Sequence, residues 1–324
     1  MNYQRIFSIR SSAQFEDACL ETFRHQFKNI AIYQEFCVHL KKGPETVREL
    51  KDIPFLPIEF FKSHEIIPKQ MPPQVVFTSS GTTGQVTSKH LVSDINLYEL
   101  SFNKAFERFY GDPKDWIILA LLPSYLEREG SSLIYMTQKL IERSGHANSG
   151  FYLNDLEALN KTIQQANKNK KLMLIGVSFA LLDLVEEYTY RLQDAVIMET
   201  GGMKGRRREM IREELHQVLK KGFGVDNIHS EYGMTELLSQ AYSKGDGIFE
   251  CPPWMRLFIR DPEDPLTYLA SGKTGGINVI DLANYNSCSF IATQDLGKDL
   301  GAGKTEILGR FDQSDIRGCN LMVL

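Results

Sequence analysis

Hydrophobic residues recur at helical spacing near the start of the chain. Between residues 13 and 40, apolar side chains mostly lie three or four positions apart, which predicts one or two amphipathic helices. Residues 53–61 (IPFLPIEFF) then contain two prolines, and a proline disfavours the helical conformation of the residue before it. We therefore predict an extended, buried segment at 53–61.

Short apolar runs and amphipathic stretches alternate through the middle of the chain. Residues 116–122 are apolar at every position, as expected for a strand covered on both faces. We predict strands at 75–78, 116–122, 172–177, 195–198 and 227–230, and helices at 95–109, 131–144, 156–169, 181–193 and 206–221. This alternation is typical of an α/β fold with layered, mostly parallel sheets. From Gly247 onward, glycines separate short strands, which predicts a β-rich, antiparallel C-terminal subdomain.

Composition narrows the class of protein. The 324 residues are 42% hydrophobic and 24% charged, which is typical of a globular chain and excludes a disordered or fibrous one. A net charge of −4 provides no basic field to hold nucleic acid or an anionic membrane. The longest apolar run, 116–122, is far short of the ~20 residues that span a bilayer, and the N-terminal sequence lacks a secretory signal. Five cysteines without a CxxC pair fit a reducing compartment, so we expect a cytoplasmic enzyme with no nucleic-acid partner and no membrane span.

A loop rich in hydroxyl groups follows the first predicted strand directly. Glycines let a backbone turn its N–H groups toward one point, and hydroxyl groups add donors around that point, as in loops that wrap phosphate oxygens. The alternative is a solvated surface loop, in which Lys89 is simply an exposed lysine rather than a charge near phosphate. The candidate phosphate-binding residues are Ser79, Ser80, Gly81, Thr82, Thr83 and Gly84.

A second glycine-rich sequence, GAGKT at 301–305, looks like the end of a Walker A loop. The first glycine of that motif would fall at position 298, which is Lys298. The residues after Thr305 also lack the pattern of the helix that a Walker loop opens. We therefore predict that GAGKT is not a phosphate-binding loop.

The sequence SGTTG at 80–84, placed after a strand, resembles the phosphate loop of the adenylate-forming enzymes. Downstream, YGMTE at 232–236 resembles the family's YGxTE motif. The resemblance implies that Tyr232 and Gly233 lie against adenine, that Thr235 binds the α-phosphate and that Glu236 holds Mg²⁺. Gly201 and Gly202 correspond to the glycine-rich turn that lines the adenine in that family.

Two further motifs follow in the order that the family has them. TQDLG at 293–297 resembles TGDxG, which implies that Asp295 binds both ribose hydroxyls; Gln294 replaces the usual glycine. GRFDQ at 309–313 resembles GRxDD, which implies that Arg310 binds ribose and phosphate, and Gln313 replaces the second aspartate. The resemblance thus implies the large N-terminal domain of an adenylate-forming enzyme, with ATP and Mg²⁺ as cofactors.

One branch of these enzymes is more similar to the chain, namely the acyl-protein synthetase family of the bacterial bioluminescence fatty acid reductase. The similarity lies in IPFLP at 53–57, FKS at 61–63, SSGTTGQ at 79–85 and IRGCNL at 316–321. It implies activation of a carboxylic acid, with a fatty acid favoured, and then acyl transfer to Cys319 for delivery to a reductase or carrier protein. Alternatively, Cys319 is a small buried residue of a last strand.

The resemblance also suggests how the chain is organised. We expect a helical lead-in at 1–74, an adenylate-forming core at 75–308, and a hinge remnant and tail at 309–324. Because the sequence stops fourteen residues after Arg310, we expect it to lack the family's small rotating domain with its catalytic lysine.

Two other functions remain open from the sequence. A phenylacetate-CoA-ligase-like enzyme would pass the adenylate to CoA or a carrier protein, and a silent nucleotide-binding subunit would serve as a scaffold. Glu236, Asp295 and Arg310 favour an enzyme, since a scaffold has no need of a magnesium ligand. His90 either touches substrate or lies at a helix cap or the surface, and the basic cluster at 204–208 is predicted to lie on the solvated face of the helix at 206–221.

Overall fold

The structure is a computed structural model that describes residues 3–79, 86–122, 130–153, 155–166, 170–201, 207–208 and 210–311. The chain forms two compact units. The first unit comprises Met1–Val76, Gly81–Ile95 and Ile248–Leu324, and the second comprises Phe77–Ser80 and Asn96–Gly247. The polypeptide therefore enters the second unit twice, briefly at Phe77–Ser80 and then for Asn96–Gly247, and returns to the first unit each time.

Helices and strands of the described residues follow the alternation predicted for the middle of the chain. The helices are α1 (Ser12–Asn29), α2 (Ala31–His39), α3 (Phe60–Ser63), α4 (Ile95–Tyr110), α5 (Ser132–Ser144), α6 (Leu156–Gln165), α7 (Ser178–Glu187) and α8 (Arg212–Phe223). The strands are β1 (Leu56–Pro57), β2 (Val75–Thr78), β3 (Lys89–Val92), β4 (Trp116–Leu121), β5 (Gly150–Phe151), β6 (Lys171–Val177), β7 (Val196–Thr200), β8 (His229–Tyr232), β9 (Ala241–Ser243), β10 (Ile248–Glu250), β11 (Met255–Arg260), β12 (Thr274–Asp281), β13 (Phe290–Gly301) and β14 (Lys304–Arg310).

The second unit contains the parallel sheet. Its strands run in the order β9-β8-β7-β6-β4-β5, with all neighbours parallel except β8 and β9. Every residue of β4 is buried, as the continuous apolar run predicted. The predicted α/β class with a parallel sheet is confirmed, and the carboxyl ends of β7 and β8 meet at one edge of this sheet.

In the first unit, an antiparallel sheet carries the strands in the order β11-β12-β13-β14-β10, and the short β1 adds parallel to β13. The β-rich, antiparallel C-terminal part is therefore confirmed. Gln26 fixes helix α1 to the β12–β13 connection, since its amide donates to the Asn284 carbonyl (2.9 Å) and to the Ser289 hydroxyl (2.9 Å). The Ser289 amide donates back to Gln26 Oε1 over 3.0 Å, so this buried side chain is well satisfied.

The hairpin between β13 and β14 contains the sequence that looks like a Walker loop. Ala302 and Gly303 connect the two strands, with φ values of 53° and 75°. Two consecutive positive φ angles are typical of a two-residue hairpin turn. Since a strand follows rather than a helix, the structure confirms that GAGKT is not a phosphate-binding P-loop.

Several element boundaries differ from the sequence predictions. Helix α7 begins at Ser178 and ends at Glu187, rather than spanning 181–193, because Tyr190 and Leu192 donate backbone hydrogen bonds to the end of α8. The extended segment at 53–61 is confirmed only in its first part, since α3 begins at Phe60. Helix α6 ends at Gln165, and β8 lies two residues later than predicted.

Helix α8 begins at Arg212, six residues later than predicted, so the basic cluster does not lie on it. Within that cluster, Arg207 forms ion pairs with Asp183 and Glu186 of α7. Arg207 thus lies before the first residue of α8, and its guanidinium is engaged in ion pairs. The prediction of a solvated helical face was therefore wrong for this residue. None of the helices in the described part of the chain combines the length and hydrophobicity needed to cross a bilayer.

Candidate nucleotide-binding site

The predicted phosphate loop is described only at its two ends. Ser79 is half-buried directly after β2, and Lys89 is exposed at the first position of β3. Ser80, Gly81, Thr82, Thr83, Gly84, Gly202 and Cys319 lie outside the described residues. The strand predicted at 75–78 is confirmed as β2, while the phosphate-binding roles of 79–84 remain predictions.

His90 is neither a surface residue nor a helix cap. It lies on β3 with no exposed area, and its ring packs edge-on against Phe61 at a centroid distance of 5.6 Å. The predicted alternatives of capping and surface exposure were therefore wrong, because the residue alternates inward on a strand that the sequence analysis did not predict.

Asp295 and Arg310, from two separate motifs, are brought together in the first unit. They lie opposite each other in the register of β13 and β14, and Arg310 Nε is 3.9 Å from Asp295 Oδ1. The Asp295 side chain is 15% exposed and that of Arg310 is 87% exposed. The mostly buried Asp295 carboxylate can accept hydrogen bonds from the hydroxyl groups of a ligand. The exposed Arg310 guanidinium beside it can bind an anionic group of the same ligand.

Gln294, the departure from the family motif, forms a contact of its own. Its side-chain amide donates to Glu59 Oε1, and its backbone carbonyl accepts a hydrogen bond from the Phe311 backbone N–H over 2.7 Å. The segment that contains Glu59 begins with β1, and the Ile58 amide donates to the Ala292 carbonyl over 3.0 Å. The extended segment at 53–59 therefore supports β13 immediately before Asp295.

The YGMTE motif follows β8 at the carboxyl edge of the parallel sheet. Tyr232, Gly233 and Thr235 are half-buried, whereas Glu236 is buried with 5% of its surface exposed. The Leu237 amide donates to the Met234 carbonyl over 3.1 Å, which closes a turn around the motif. This edge of a parallel sheet is where ligands bind in open α/β folds.

A second glutamate, Glu231, lies beneath this motif. Its Oε2 accepts a 2.5 Å hydrogen bond from the Thr200 hydroxyl, and the two residues are register partners on β8 and β7. Burial raises the pKa of Glu231 to about 7, with the neighbouring Glu199 adding to the rise and the bond from Thr200 opposing it. A Cβ at Gly233 would lie 2.3 Å from Glu231 Oε1, so a larger residue at that position would have to displace the Glu231 carboxylate.

Gly201 follows β7 directly, so it lies beside Tyr232 at the end of the neighbouring strand. It has a φ of 67°, and its carbonyl accepts from the Ser178 hydroxyl over 3.2 Å. Ser178 also lies 3.3 Å from Oε2 of the buried Glu199, whose other oxygen is 3.6 Å from His216 Nε2. These polar residues hold the start of the glycine-rich turn.

Glu231 and Glu199 were not predicted from the sequence. Each is the last but one residue of its strand, and a single polar residue at that position is usually an ordinary solvated one. The available signal was their position, since polar residues at the carboxyl ends of neighbouring parallel strands meet at one edge.

The side chains present in the site can be compared with the ligands that Mg²⁺ requires. Among the described residues, no group of three or more His, Cys, Asp or Glu side chains is arranged to hold a metal ion. Mg²⁺ in nucleotide sites is bound by one or two carboxylates together with substrate phosphates, so it does not need such a group. The buried Glu236 carboxylate is a hard oxygen donor and fits this mode of binding.

Four of the five cysteines are described, and all four are free thiols. Cys19, Cys37 and Cys288 are buried. Burial raises the pKa of Cys37 and of Cys251 to about 12, and it raises the pKa of Cys19 and Cys288 as well. Since the thiolate is the nucleophile, these four cysteines are unsuited to accept an acyl group near neutral pH.

Comparison with protein families supports the resemblance found in the sequence. The model of the acyl-protein synthetase family, LuxE, matches residues 8–105. This stretch extends from just before α1 into α4 and contains the segment at 53–63 and the candidate phosphate loop. The predicted resemblance is confirmed.

Solved structures extend the similarity to the rest of the chain. An open form of a 2-hydroxyisobutyryl-CoA ligase, in complex with 2-HIB-AMP and CoA, covers 93% of this chain and 70% of its own, with 13% identity and a TM-score of 0.65. This is the fold of the N-terminal domain of adenylate-forming enzymes. ATP-bound MatB from Rhodopseudomonas palustris is 20% identical over 72% of this chain, with a TM-score of 0.53. The chain spans 47% of the length of that protein, and a comparison with curated proteins found no match.

Proposed function

We propose that this chain activates a carboxylic acid with ATP, forming an acyl-adenylate and releasing pyrophosphate. The observation that carries the proposal is the cross-strand pair of Asp295 and Arg310, 3.9 Å apart on β13 and β14. Two motifs that resemble those of adenylate-forming enzymes thereby present a carboxylate and a guanidinium side by side. The LuxE family match supports the same activity from a different part of the chain.

The pair is suited to a nucleotide. The Asp295 carboxylate would accept hydrogen bonds from both ribose hydroxyls, and each such charge-assisted bond contributes about 1.5–3 kcal/mol. The Arg310 guanidinium would bind ribose and phosphate oxygens, for which its planar set of donors is well matched. Tyr232, Gly233 and Gly201, at the ends of neighbouring strands, would lie against the adenine.

The Glu236 carboxylate would hold Mg²⁺, which supplies positive charge to offset the charge on the phosphates. Thr235, next to it, would donate its hydroxyl to the α-phosphate. Because the Glu236 side chain is buried, the carboxylate is held in place before a nucleotide binds and little reorganisation is needed.

In the reaction, an oxygen of the substrate carboxylate attacks the α-phosphorus. A new O–P bond forms while the bond from the α-phosphorus to the bridging oxygen breaks, and pyrophosphate leaves with that electron pair. Catalysis of such transfers depends on positioning and on charge stabilisation rather than on a protein nucleophile. The hydroxyl and N–H groups of 79–84 would hold the leaving pyrophosphate, with Lys89 adding positive charge.

In the second half-reaction, the Cys319 thiolate would attack the acyl carbonyl carbon. The bond between that carbon and the phosphate oxygen breaks, AMP leaves, and a thioester forms. The raised thiol pKa values of Cys19, Cys37, Cys251 and Cys288 support Cys319 as the acceptor. The acyl group, with a fatty acid favoured, would then pass to a reductase or carrier protein, and a cytoplasmic location fits the free thiols.

A second candidate is transfer of the acyl group to CoA or a carrier protein, as in a phenylacetate-CoA-ligase-like enzyme. The similarity to a ligase whose structure contains CoA, over 93% of this chain, favours it. The two candidates share adenylate formation and differ only in the thiol that accepts the acyl group.

Exchange of labelled pyrophosphate into ATP tests the proposal across a panel of fatty, aromatic and short hydroxy acids. We expect Mg²⁺-dependent exchange that requires one class of acid, and no exchange without it. Adding CoA to the productive acid then distinguishes the candidates, because only the second yields acyl-CoA. Absence of exchange with every acid, despite ATP binding, would instead support a silent nucleotide-binding subunit.

A further inference from the structure

Arg260 belongs to none of the motifs that resemble the adenylate-forming family, yet it lies at the centre of a hydrogen-bond network. It is the last residue of β11, and its Nη1 donates to the Ile277 carbonyl (2.7 Å) and to Asn278 Oδ1 (3.0 Å). Its Nη2 donates to the Thr293 carbonyl over 2.6 Å. A Cβ at Gly276 would lie 2.6 Å from Arg260 Cζ, so the glycine makes room for the guanidinium.

The network leads directly to Asp295. The register of β12 and β13 shifts between Gly276 and Asn278, which leaves the Ile277 carbonyl outside the regular ladder. That carbonyl also accepts from the Thr293 hydroxyl over 2.9 Å, and the same hydroxyl accepts from the Asp295 amide over 3.1 Å. Arg260 therefore binds the backbone carbonyl of Thr293, while the Thr293 hydroxyl binds the backbone N–H of Asp295.

Arg260 also reaches the second nucleotide motif. Its guanidinium carbon lies 5.9 Å from the centroid of the Phe311 ring, within the range of a cation–π contact. The Phe311 amide donates to the Gln294 carbonyl, so Phe311 is joined to β13 as well. One guanidinium thus contacts the residue after Arg310 and the residue two before Asp295.

We propose that Arg260 is a positioning residue that sets how tightly the site holds the ribose of ATP. This inference rests on the proposed function, in which Asp295 binds the ribose hydroxyls. Arg260 acts through Thr293 rather than by touching the nucleotide. A lysine keeps the charge but cannot serve three acceptors and a ring in this planar geometry, so Arg260→Lys is the informative change.

The test compares ATP with 2′-deoxyATP in pyrophosphate exchange, using kcat/KM for each. We expect the wild-type protein to prefer ATP by about tenfold or more, since one charge-assisted hydrogen bond is lost with the hydroxyl. Arg260→Lys should reduce this preference to about threefold or less and raise KM for ATP, with kcat at saturating ATP within about threefold of wild type. Asp295→Ala should show the same low preference, and the double variant should lose little more because the residues act as one unit.

Arg256→Lys is the matched control. Arg256 lies on the same strand, but its guanidinium stacks on Phe15 and donates to Ser12, away from the network. The Arg256→Lys variant should keep the wild-type preference for ATP over 2′-deoxyATP. The thermal shift that ATP produces in each protein gives a second measurement that does not depend on turnover.

The outcomes separate the two proposals. A wild-type protein that binds ATP and 2′-deoxyATP equally would overturn the ribose role of Asp295 and with it the proposed site. A wild-type preference that Arg260→Lys retains in full would overturn the positioning role alone. A lower melting temperature in Arg260→Lys with the preference unchanged would have the same meaning, because it would show that Arg260 serves only the fold.

Discussion

Asp295 and Arg310 face each other across β13 and β14, with 3.9 Å between Asp295 Oδ1 and Arg310 Nε. Because the Arg310 side chain is 87% exposed, the ion pair itself contributes little to stability. The pair is therefore not needed to hold the two strands together, whereas the proposed nucleotide site would use both groups. The strands are already joined by their backbone ladder.

Asp295→Ala should raise KM for ATP by about 100-fold, with a much smaller change in kcat, because ribose contacts are made equally in the ground and transition states. Steady-state exchange kinetics measure both constants. Asp299→Ala, on the same strand, is the control and should leave KM for ATP near the wild-type value. An unchanged KM in Asp295→Ala would contradict the ribose assignment.

Glu236→Gln should reduce pyrophosphate exchange by about 100-fold or more, since an amide is a poor replacement for the carboxylate ligand of Mg²⁺. The melting temperature should change little, because the two side chains have the same shape. Glu213→Gln, an exposed position on α8, serves as the control and should exchange at the wild-type rate. Near wild-type exchange in Glu236→Gln would remove this residue from the magnesium site.

Glu231 makes the stability of the fold depend on pH. Its pKa is about 7 in the folded protein, against 4.5 without burial, so between these values the folded state keeps a proton that the unfolded state has released. Stability therefore falls as the pH rises through this window. Glu231→Gln should match the wild-type free energy of unfolding below pH 4.5 and exceed it by about 3 kcal/mol at pH 8.

Chemical denaturation over a series of pH values measures this difference. His229, whose pKa burial lowers to about 4, titrates in both proteins and cancels in the comparison. Glu214→Gln, exposed on α8, should follow the wild-type curve at every pH. A constant difference between Glu231→Gln and wild type across the series would show that Glu231 is already ionised in the folded state.

The positions of elements with strong apolar patterns could be predicted from sequence because those patterns are local. The strand at 116–121 and the helices beginning at 95 and 132 lie within one residue of their predicted bounds. Helix α8 was placed six residues too early, and Arg207, which precedes it, pairs with Asp183 and Glu186, more than twenty residues earlier in the chain. Such contacts leave no periodic signal.

In the candidate site, the residues that belong to sequence motifs could be predicted, but their contacts could not. Asp295 and Arg310 were found from motifs, but their pairing depends on the hairpin turn at Ala302 and Gly303 and on irregularities in the strand register. Glu231 was missed because its raised pKa results from burial, and because its hydrogen-bond partner Thr200 lies 31 residues away in the chain. Neither the register nor the burial of a single side chain follows from residue types alone.

Cys319→Ser should separate activation from acyl transfer. With ATP, Mg²⁺ and a labelled acid, the wild-type protein should acquire label that neutral hydroxylamine releases, as it releases a thioester. Cys319→Ser should lose this label and keep exchange, whereas Cys251→Ser should keep both, because burial holds the Cys251 thiol protonated. Label that survives in Cys319→Ser, or adenylate that accumulates in wild type without labelling it, would favour CoA or a carrier protein as acceptor.

The central claim, attack of a carboxylate on the α-phosphorus of ATP, is tested most directly by following oxygen. The protein is supplied with ATP, Mg²⁺ and its productive acid carrying ¹⁸O in the carboxylate, with hydroxylamine to accept the acyl group. The proposed reaction transfers one ¹⁸O atom to AMP and none to pyrophosphate, as measured by mass spectrometry. Formation of ADP with ¹⁸O in inorganic phosphate, or of AMP without the label, would contradict adenylate formation.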